Sequence, residues 1–543
     1  MTCDVLVAGA GMAGLTAAAY CARAGLDVVV CEKTARTGGL VGSFTRDGFT
    51  FDAGLRAIED SGILMPMLSQ LGLEVPFMKS PVSLGIGDRI LPVETRDSLV
   101  AYRDMLVGLY PENTADIDAI LADIRKIMRD MDVLYGIENP LFKDIPGDRE
   151  YLVHTLLPWI GRFLVTIGRI NRMQTPAESY LETRTGNRSL IDIIAQHFFR
   201  DTPAFFAMSY FSLYLDYRYP LGGTGALPEA LTRYCREHGV RFVMENELTA
   251  IHPLAREATT TDGSRFAYGK LIWTADQKAL YRAVDTEALP DGPLRRQVLD
   301  RRALLRDLKG SDSVFSLFLS LDRHPDTFRA ISAGHFFYTP DPAGLGSIHR
   351  EELDRLLATL DTAPSGETQP RILEWIRRCA ALTTYEISLP VLKDPTLAPP
   401  GKTGLIVSIL LPYDLCRHAE ATGWYEAFRN HCADCMIDAL SHSVYPGLRD
   451  WIIDRTTLTP LSIARTFGST DGAITGWSFT NPVMPAVAKM QQVSRTERTL
   501  LPDVHQAGQW AYSPAGLPMS ILTGKIAADR VVKDLKRRRR SRG

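Results

Sequence analysis

The chain has 543 residues, 45% of them hydrophobic and 23% charged. That is the balance of a soluble globular protein with room for several domains or two large interleaved ones, and it excludes disordered, collagen-like and coiled-coil chains. Lys and Arg number 61 against 63 Asp and Glu, a net charge of −2, so no overall field draws the molecule to nucleic acid.

The chain opens as strand, turn, helix, strand. A short β-rich run at 4–8 leads into Gly9-Ala10-Gly11-Met12-Ala13-Gly14, a helical stretch at 15–24 ends at Gly25, and an apolar run at 27–32 ends on Glu32. From about 63 to 211 the periodicity is helical, clearest at 114–135, with prolines at 140, 146, 158 and 176 as punctuation. After Gly222-Gly223 the pattern predicts a helix at 227–238 and strands at 240–244 and 271–276. Further strands are predicted at 314–321 and 405–411, and helices at 350–360, 370–380 and 425–440, before a closing strand–turn–helix at 504–535. There is no internal repeat. The α/β pieces at the start, middle and end predict one nucleotide-binding domain assembled from residues 1–75, 216–290 and 471–535. A substrate domain at 76–215 and 291–470 interrupts it, and 536–543 form a basic tail.

The opening unit carries a dinucleotide fingerprint in full context, with a strand before it, a helix after it and Glu32 eighteen residues beyond Gly14. Gly9 allows the tight turn, Gly11 the approach of a pyrophosphate to the backbone, and Gly14 close helix–strand packing. The free N–H groups of the new helix face the phosphates. Glu32 accepts from ribose hydroxyls and disfavours a 2′-phosphate, which argues against NADP.

The next motifs set the kind of dinucleotide. Gly38-Gly39-Leu40 follow Glu32-Lys33, and after them come Ser43-Phe44 and Asp52-Ala53-Gly54. Tyr219 to Leu227, Glu247-Leu248 and Trp273-Thr274-Ala275-Asp276 lie further on, with Gly472 to Trp477 and Ala507-Gly508 through Gly516-Leu517-Pro518 near the end. These segments resemble the phytoene desaturase, carotenoid isomerase and retinol saturase branch of the FAD-binding amine oxidase superfamily, over essentially the whole chain. The resemblance implies an α/β fold: a Rossmann-like FAD-binding domain built from discontinuous segments, with an interleaved sheet-plus-helix substrate domain. It also implies non-covalent FAD, held by Gly9, Gly11, Met12, Ala13, Gly14, Glu32, Lys33, Gly38, Gly39, Leu40, Gly54, Leu248, Gly508 and Leu517. Pro518 suits the first turn of a helix, whose positive end the resemblance sets against the flavin ring. Related desaturases carry a run of glycines there, where this chain has Ser513-Pro514-Ala515-Gly516.

The expected activity is oxidoreduction at C–C or C=C bonds of an apolar polyene or isoprenoid, as desaturation, saturation or isomerisation. The alternatives are a flavin amine oxidase, with Trp510 and Tyr512 as one wall of an aromatic cage, and a prenyl-binding escort protein without flavin chemistry. No catalytic base is identifiable. Arg56 and Glu59 lie either near the ring or in an interface ion pair, and His197 reads as a satisfied core histidine. Eight scattered cysteines fit a reducing compartment. Cys432 and Cys435 read as buried thiols, and no spacing suggests a metal. The N-terminus is not a signal peptide, and nothing reaches the uninterrupted apolar length of a membrane span. The expected location is cytoplasmic, with two features bearing on a membrane surface. Residues 152–170 are apolar but broken by His154, Pro158 and Arg162, and form either a buried helix or one lying in a lipid interface. From Lys525 to Gly543 the net charge is +7, a solvated tail or an attraction to anionic headgroups.

Overall fold

The computed structural model describes residues 1–540 apart from 144–146, 347, 349–351, 361, 363 and 364. Residues 541–543 of the basic segment, Pro146 and the first two positions of the helix expected at 350–360 lie outside the described residues.

Two seven-stranded sheets organise the chain. In the first, Thr2–Ala8 lies parallel between Val28–Cys31 and Arg265–Trp273. Arg241–Val243 extends one edge in parallel, and Val504–Gln506 pairs with Arg265–Trp273. Glu257–Thr260 and Leu248–His252 complete the other side as antiparallel strands. The Val-Val-Val-Cys run of the second strand is buried at every position, as befits a parallel strand covered on both faces. Helix Met12–Arg23 crosses the sheet and is buried at all but its last position. The closing helix Leu517–Arg540 packs on it at very short range. A Cβ added to Gly524 would lie 2.4 Å from the Ala13 carbonyl oxygen.

The second sheet runs in the order Ile452–Leu458, Ser313–Leu321, Thr403–Leu411, Tyr385–Ser388, His335–Thr339, Val82–Ile86, Arg89–Val93. It is antiparallel except where Val82–Ile86 meets His335–Thr339. Period-two alternation divides its faces. Phe315, Leu317, Leu319, Val407, Ile409, Ile387 and Phe336 pack into a core with helices Ser365–Leu382 and Tyr425–Ser441, leaving the intervening residues for the other face.

The first sheet draws every strand from 1–75, 216–290 and 471–535, and the second from 76–215 and 291–470. The helix at Thr114–Tyr135 forms as the periodicity predicts. The stretch expected to be helical from 63 to 211 departs from that reading at Phe77–Lys79, Val82–Ile86 and Arg89–Val93, which are strands. Phe77–Lys79 pairs with Arg218–Pro220 and Val82–Ile86 with His335–Thr339, partners too distant in sequence for local periodicity to report, while Arg89–Val93 closes a short hairpin on Val82–Ile86. Lys536 to Arg540 continue the closing helix instead of forming a tail.

Pro158 does not interrupt the apolar segment either. Tyr151–Leu156 is a π-helical turn that runs straight into Leu157–Ile170. Among the described residues this 20-residue helix is the one long and apolar enough to cross a membrane by length and composition. It is not the buried helix of one sequence reading. Val153, Leu157, Ile160, Leu164 and Val165 are exposed, the last two at 62%.

The turn after the first strand is the tightest packing in the first domain. Gly9 has φ +98°, and a Cβ on Gly14 would stand 2.0 Å from the Gly9 carbonyl oxygen and 2.8 Å from Thr274 Oγ1. Gly14→Ala is therefore expected to destabilise the protein by about 1–3 kcal/mol, read as a lower unfolding midpoint. Gly168→Ala, on an exposed turn with nothing within 4 Å, serves as the control and is expected to be neutral or slightly stabilising. Equal midpoints for the two variants would refute the packing argument.

Candidate functional site

A cavity of about 530 Å³ runs from the opening turn of the first sheet to the inner face of the second. Thirteen of the fourteen residues expected to hold a dinucleotide line it: Gly9, Gly11, Met12, Ala13, Glu32, Lys33, Gly38, Gly39, Leu40, Gly54, Leu248, Gly508 and Leu517. Gly14 stands behind the turn, where its packing role requires it.

The dinucleotide end is built from close backbone approaches. Gly38 N donates to Ala10 O at 2.8 Å, and a Cβ on Gly39 would lie 3.3 Å from Gly11 Cα. Gly11 differs from its neighbours, because a Cβ there meets no protein atom within 4 Å and projects into open space at the mouth of helix Met12–Arg23. A helix N-terminus facing a space that only glycine leaves free suits a pyrophosphate. Glu32 is buried and largely committed. Oε2 accepts from Ala10 N at 2.7 Å, and Oε1 accepts from Thr34 N and Thr34 Oγ1 at 2.9 and 2.8 Å. Two carboxylate oxygens offer about four acceptor sites, so one remains for a ribose hydroxyl. These features fit FAD.

The other end of the cavity is floored by one row of residues across the second sheet. Leu458 pairs with Ser316, Ser316 with Ser408, Ser408 with Glu386 and Glu386 with Phe337. All five line the cavity. Ser316 and Ser408 share a hydroxyl hydrogen bond of 2.8 Å. Arg56, 3% exposed, donates through Nη1 to the Asp52 carbonyl and through Nη2 to Ser408 Oγ at 3.1 Å. Its Nε is buried without a partner, and burial pushes the guanidinium below its ordinary range. Lys393 donates to Arg56 O at 2.8 Å and Ser388 Oγ at 2.9 Å, and burial pushes its amine down to about 8. His335 is stacked on Tyr217 at 5.4 Å and meets Glu386 Oε1 through Nε2 at 3.1 Å. Burial alone would raise the Glu386 carboxyl, but the His335 hydrogen bond and the nearby cations outweigh it and hold it below the usual range.

Arg56 and Glu59 thus both reach the cavity, and they form no ion pair with each other. Glu59 lies beside the closing motif, with Oε1 3.2 Å from where a Cβ on Gly516 would stand. Burial pushes its carboxyl up to about 7. His197 is not a satisfied core histidine. It lines the cavity, Nδ1 has no partner, Nε2 meets Tyr214 Oη only at 3.4 Å, and burial pushes the ring down to about 4. Trp510 and Tyr512 also line the cavity, but Trp510 is held edge-on against the buried Trp477 at 4.9 Å. Cys432 is buried in the core of the second sheet, and Cys435 Sγ lies 3.4 Å from His431 Nε2.

Sequence reasoning missed Ser316, His335, Glu386, Lys393 and Ser408. The local signal for the four on strands is a polar residue within an apolar strand, as Ser316 in Val-Phe-Ser-Leu-Phe and Glu386 in Tyr-Glu-Ile, whereas Lys393 ends the short helix Pro390–Lys393 and carries no such signal.

Comparison with known proteins agrees with this geometry. Residues 12–532 match the family described as flavin containing amine oxidoreductase. The 4,4'-diapophytoene desaturases (4,4'-diaponeurosporene-forming) of two Staphylococcus aureus strains, bovine RF122 / ET3-1 and COL, are each 23% identical to the chain, over 98% of it and 99% of their own length. Among solved structures, an oxidoreductase from Methanosarcina mazei superposes with a TM-score of 0.60 at 14% identity, covering 98% of this chain and 100% of that one. Putrescine oxidase bound to putrescine gives 0.58 at 13%, covering 98% and 99%. A putative protoporphyrinogen oxidase from Exiguobacterium sp. 255-15 gives 0.55 at 15%, also covering 98% and 99%. The chain belongs to the flavin-containing amine oxidoreductase family. It is an FAD-dependent oxidoreductase with the phytoene desaturase-like sequence of one branch of that superfamily.

Because Gly11 has free space around it, Gly11→Val is expected to fold but to purify without flavin. Absorbance near 450 nm, about where oxidised flavins absorb, is expected to fall to background while circular dichroism stays that of the parent. Stoichiometric flavin in this variant would refute the placement.

Proposed function

We propose that the enzyme acts on C–C or C=C bonds of an extended apolar isoprenoid or polyene. The observation that carries this reading is a wall of rings along the cavity. His335, Phe337, His197, Phe198, Tyr210 and Phe206 follow one another at centroid distances of 5.0, 5.6, 3.9, 4.7 and 5.5 Å, and all six line it. Leu213, Ile167 and Ile170 continue the apolar lining. Such a wall binds by burying hydrocarbon, at about 25 cal/mol per Å², and offers a small polar amine little. The full-length likeness to diapophytoene desaturases supports the same substrate class.

In this reading Gly9, Gly11 and the first turn of helix Met12–Arg23 hold the pyrophosphate of FAD, and Glu32 the adenosine ribose. Gly54 and Leu517, which line the cavity, would hold the ring. Bound FAD supplies a two-electron hydride acceptor or donor. The chain's own residues do the rest. The aromatic wall orients the substrate and excludes water. Glu59, with its carboxyl near 7, holds or accepts a proton at the closing motif. An amine oxidase is the second reading, supported by family and fold.

The test is to offer amines and saturated isoprenoids to the oxidised enzyme, and polyenes to the anaerobically reduced enzyme, following flavin absorbance. Isoprenoids are expected to change the flavin's redox state and amines not. Flavin reduction by amines, with no response to any isoprenoid in either redox state, would overturn the reading.

We also propose that the enzyme works at a lipid surface. The exposed stripe of Val153, Leu157, Ile160 and Leu164 belongs to the helix whose Ile167 and Ile170 line the cavity, which sets an interfacial face beside the route of an apolar substrate. The basic end of the closing helix contributes less, because Arg538 is paired with Asp503 and Arg539 with Asp4. Leu164→Glu with Val165→Glu is expected to cut sedimentation with phospholipid vesicles about tenfold or more, and removal of 536–543 to change it only modestly. Unchanged sedimentation of the double variant would refute the surface assignment.

A further inference from the structure

The cavity floor is more polar than a hydrocarbon substrate requires. Glu386 sits in the middle of it. One oxygen meets His335 Nε2, the other takes no hydrogen bond from the protein, and the side chain is 35% exposed toward the cavity it lines. The charges gathered around the floor are balanced, with Arg56 and Lys393 set against Glu386 and Asp52. The donors of those cations are largely committed to Asp52 O, Ser408, Ser388 and Arg56 O. What the floor offers a ligand is therefore an acceptor.

Each kind of end group meets this floor differently. A hydrocarbon would cover the open carboxylate oxygen and leave it without a partner, which costs more than the contact returns. A carboxylate would face Glu386 as a like charge. An ammonium would add an uncompensated cation beside Arg56 in a site of low dielectric. A hydroxyl donates one hydrogen bond to Glu386 and leaves the charge balance as it is.

We infer that the substrate is an isoprenoid bearing a neutral hydroxyl at one end, and that Glu386 binds this hydroxyl while the ring wall holds the chain. The inference rests on the isoprenoid reading above and narrows it to a terminal alcohol. Ser316 and Ser408 are positioning residues, since they hold Arg56 on the same face of the sheet as Glu386.

The test titrates the flavin-loaded enzyme with four probes of one chain length: an all-trans diterpene alcohol, its methyl ether, the matching carboxylate and the parent hydrocarbon. Binding is followed by flavin absorbance and tryptophan quenching. The alcohol is expected to bind about tenfold or more tighter than the ether and the hydrocarbon, the range of a hydrogen bond to a charged acceptor. In Glu386→Leu that gap is expected to close, with hydrocarbon affinity kept or improved. Should the leucine variant fail to retain flavin, Glu386→Gln replaces it and is expected to narrow the gap. Equal binding of alcohol and hydrocarbon, tighter binding of the carboxylate, or a gap that survives both variants would overturn the inference and leave the isoprenoid reading standing. Failure of all four probes to bind would overturn the isoprenoid reading, and the inference with it.

Discussion

One buried carboxylate holds the site together. Asp52 is fully inaccessible and accepts four hydrogen bonds: from Ser43 Oγ at 2.9 Å, Tyr219 Oη at 2.7 Å, and Thr224 N and Oγ1 at 2.8 and 2.9 Å. Those donors belong to the hairpin Ser43–Arg46 with Phe49–Asp52 and to strand Arg218–Pro220 with the loop after it, segments far apart in sequence. The loop comes so close that a Cβ on Gly223 would lie 2.7 Å from Ser43 Oγ, and one on Gly225 2.8 Å from Ser43 N. A buried carboxylate left without donors costs several kcal/mol, so the two segments form together or not at all. From this junction the chain runs straight into Gly54, Arg56 and Glu59, and Lys393 reaches across from the second domain to Arg56 O. The cavity therefore lies between the two sheets, and its two edges are fixed by the same few hydrogen bonds.

The two ends of the cavity obey different rules. At the dinucleotide end the requirement is room for the ligand's backbone contacts, and glycines supply it. Those at 9, 38, 39 and 508 adopt positive φ, and Gly11 leaves open the space a side chain would fill. At the substrate end the requirement is a surface, and a sheet supplies it through its alternation. One face of Ser313–Leu321 and Thr403–Leu411 builds an apolar core, and the other carries Ser316 and Ser408 to the cavity. Neither end dictates the other's chemistry.

This division also explains what the sequence made legible. The fingerprint from Gly9 to Gly14 with Glu32 is local, because every residue it needs lies within one βαβ unit. The Asp52 and Tyr219 motifs were readable through resemblance, although the hydrogen bonds joining them were not. The floor was illegible because its members come one from each strand. Ser316, His335, Glu386 and Ser408 meet only through cross-strand register, which no window of sequence contains. Strand Val82–Ile86 was hidden for the same reason, since its partner His335–Thr339 is some 250 residues away, and Arg89–Val93 only closes a hairpin on it. The helix Tyr151–Ile170 failed differently. Its composition gave an apolar helix but not which side would be covered, because that depends on what the rest of the fold leaves beside it.

The floor is costly to bury. Arg56 and Lys393 are both taken out of water, and burial drives both toward their neutral forms. Neither has a carboxylate in direct contact, so their desolvation is offset by hydroxyls and backbone carbonyls. Such an arrangement is less stable than an apolar floor of the same shape would be. The orphan Nε of Arg56 and the orphan Nδ1 of His335 add to the deficit. The larger apolar core of this sheet lies on its other face, and on the near face Phe318 and Ile406 pack with Phe49 and Phe51. Groups whose protonation is displaced by burial, gathered on the wall of a cavity, belong to ligand sites more often than to scaffolds. The stability this fold forgoes lies where a substrate would touch it, and the open oxygen of Glu386 is the point at which that contact completes the network.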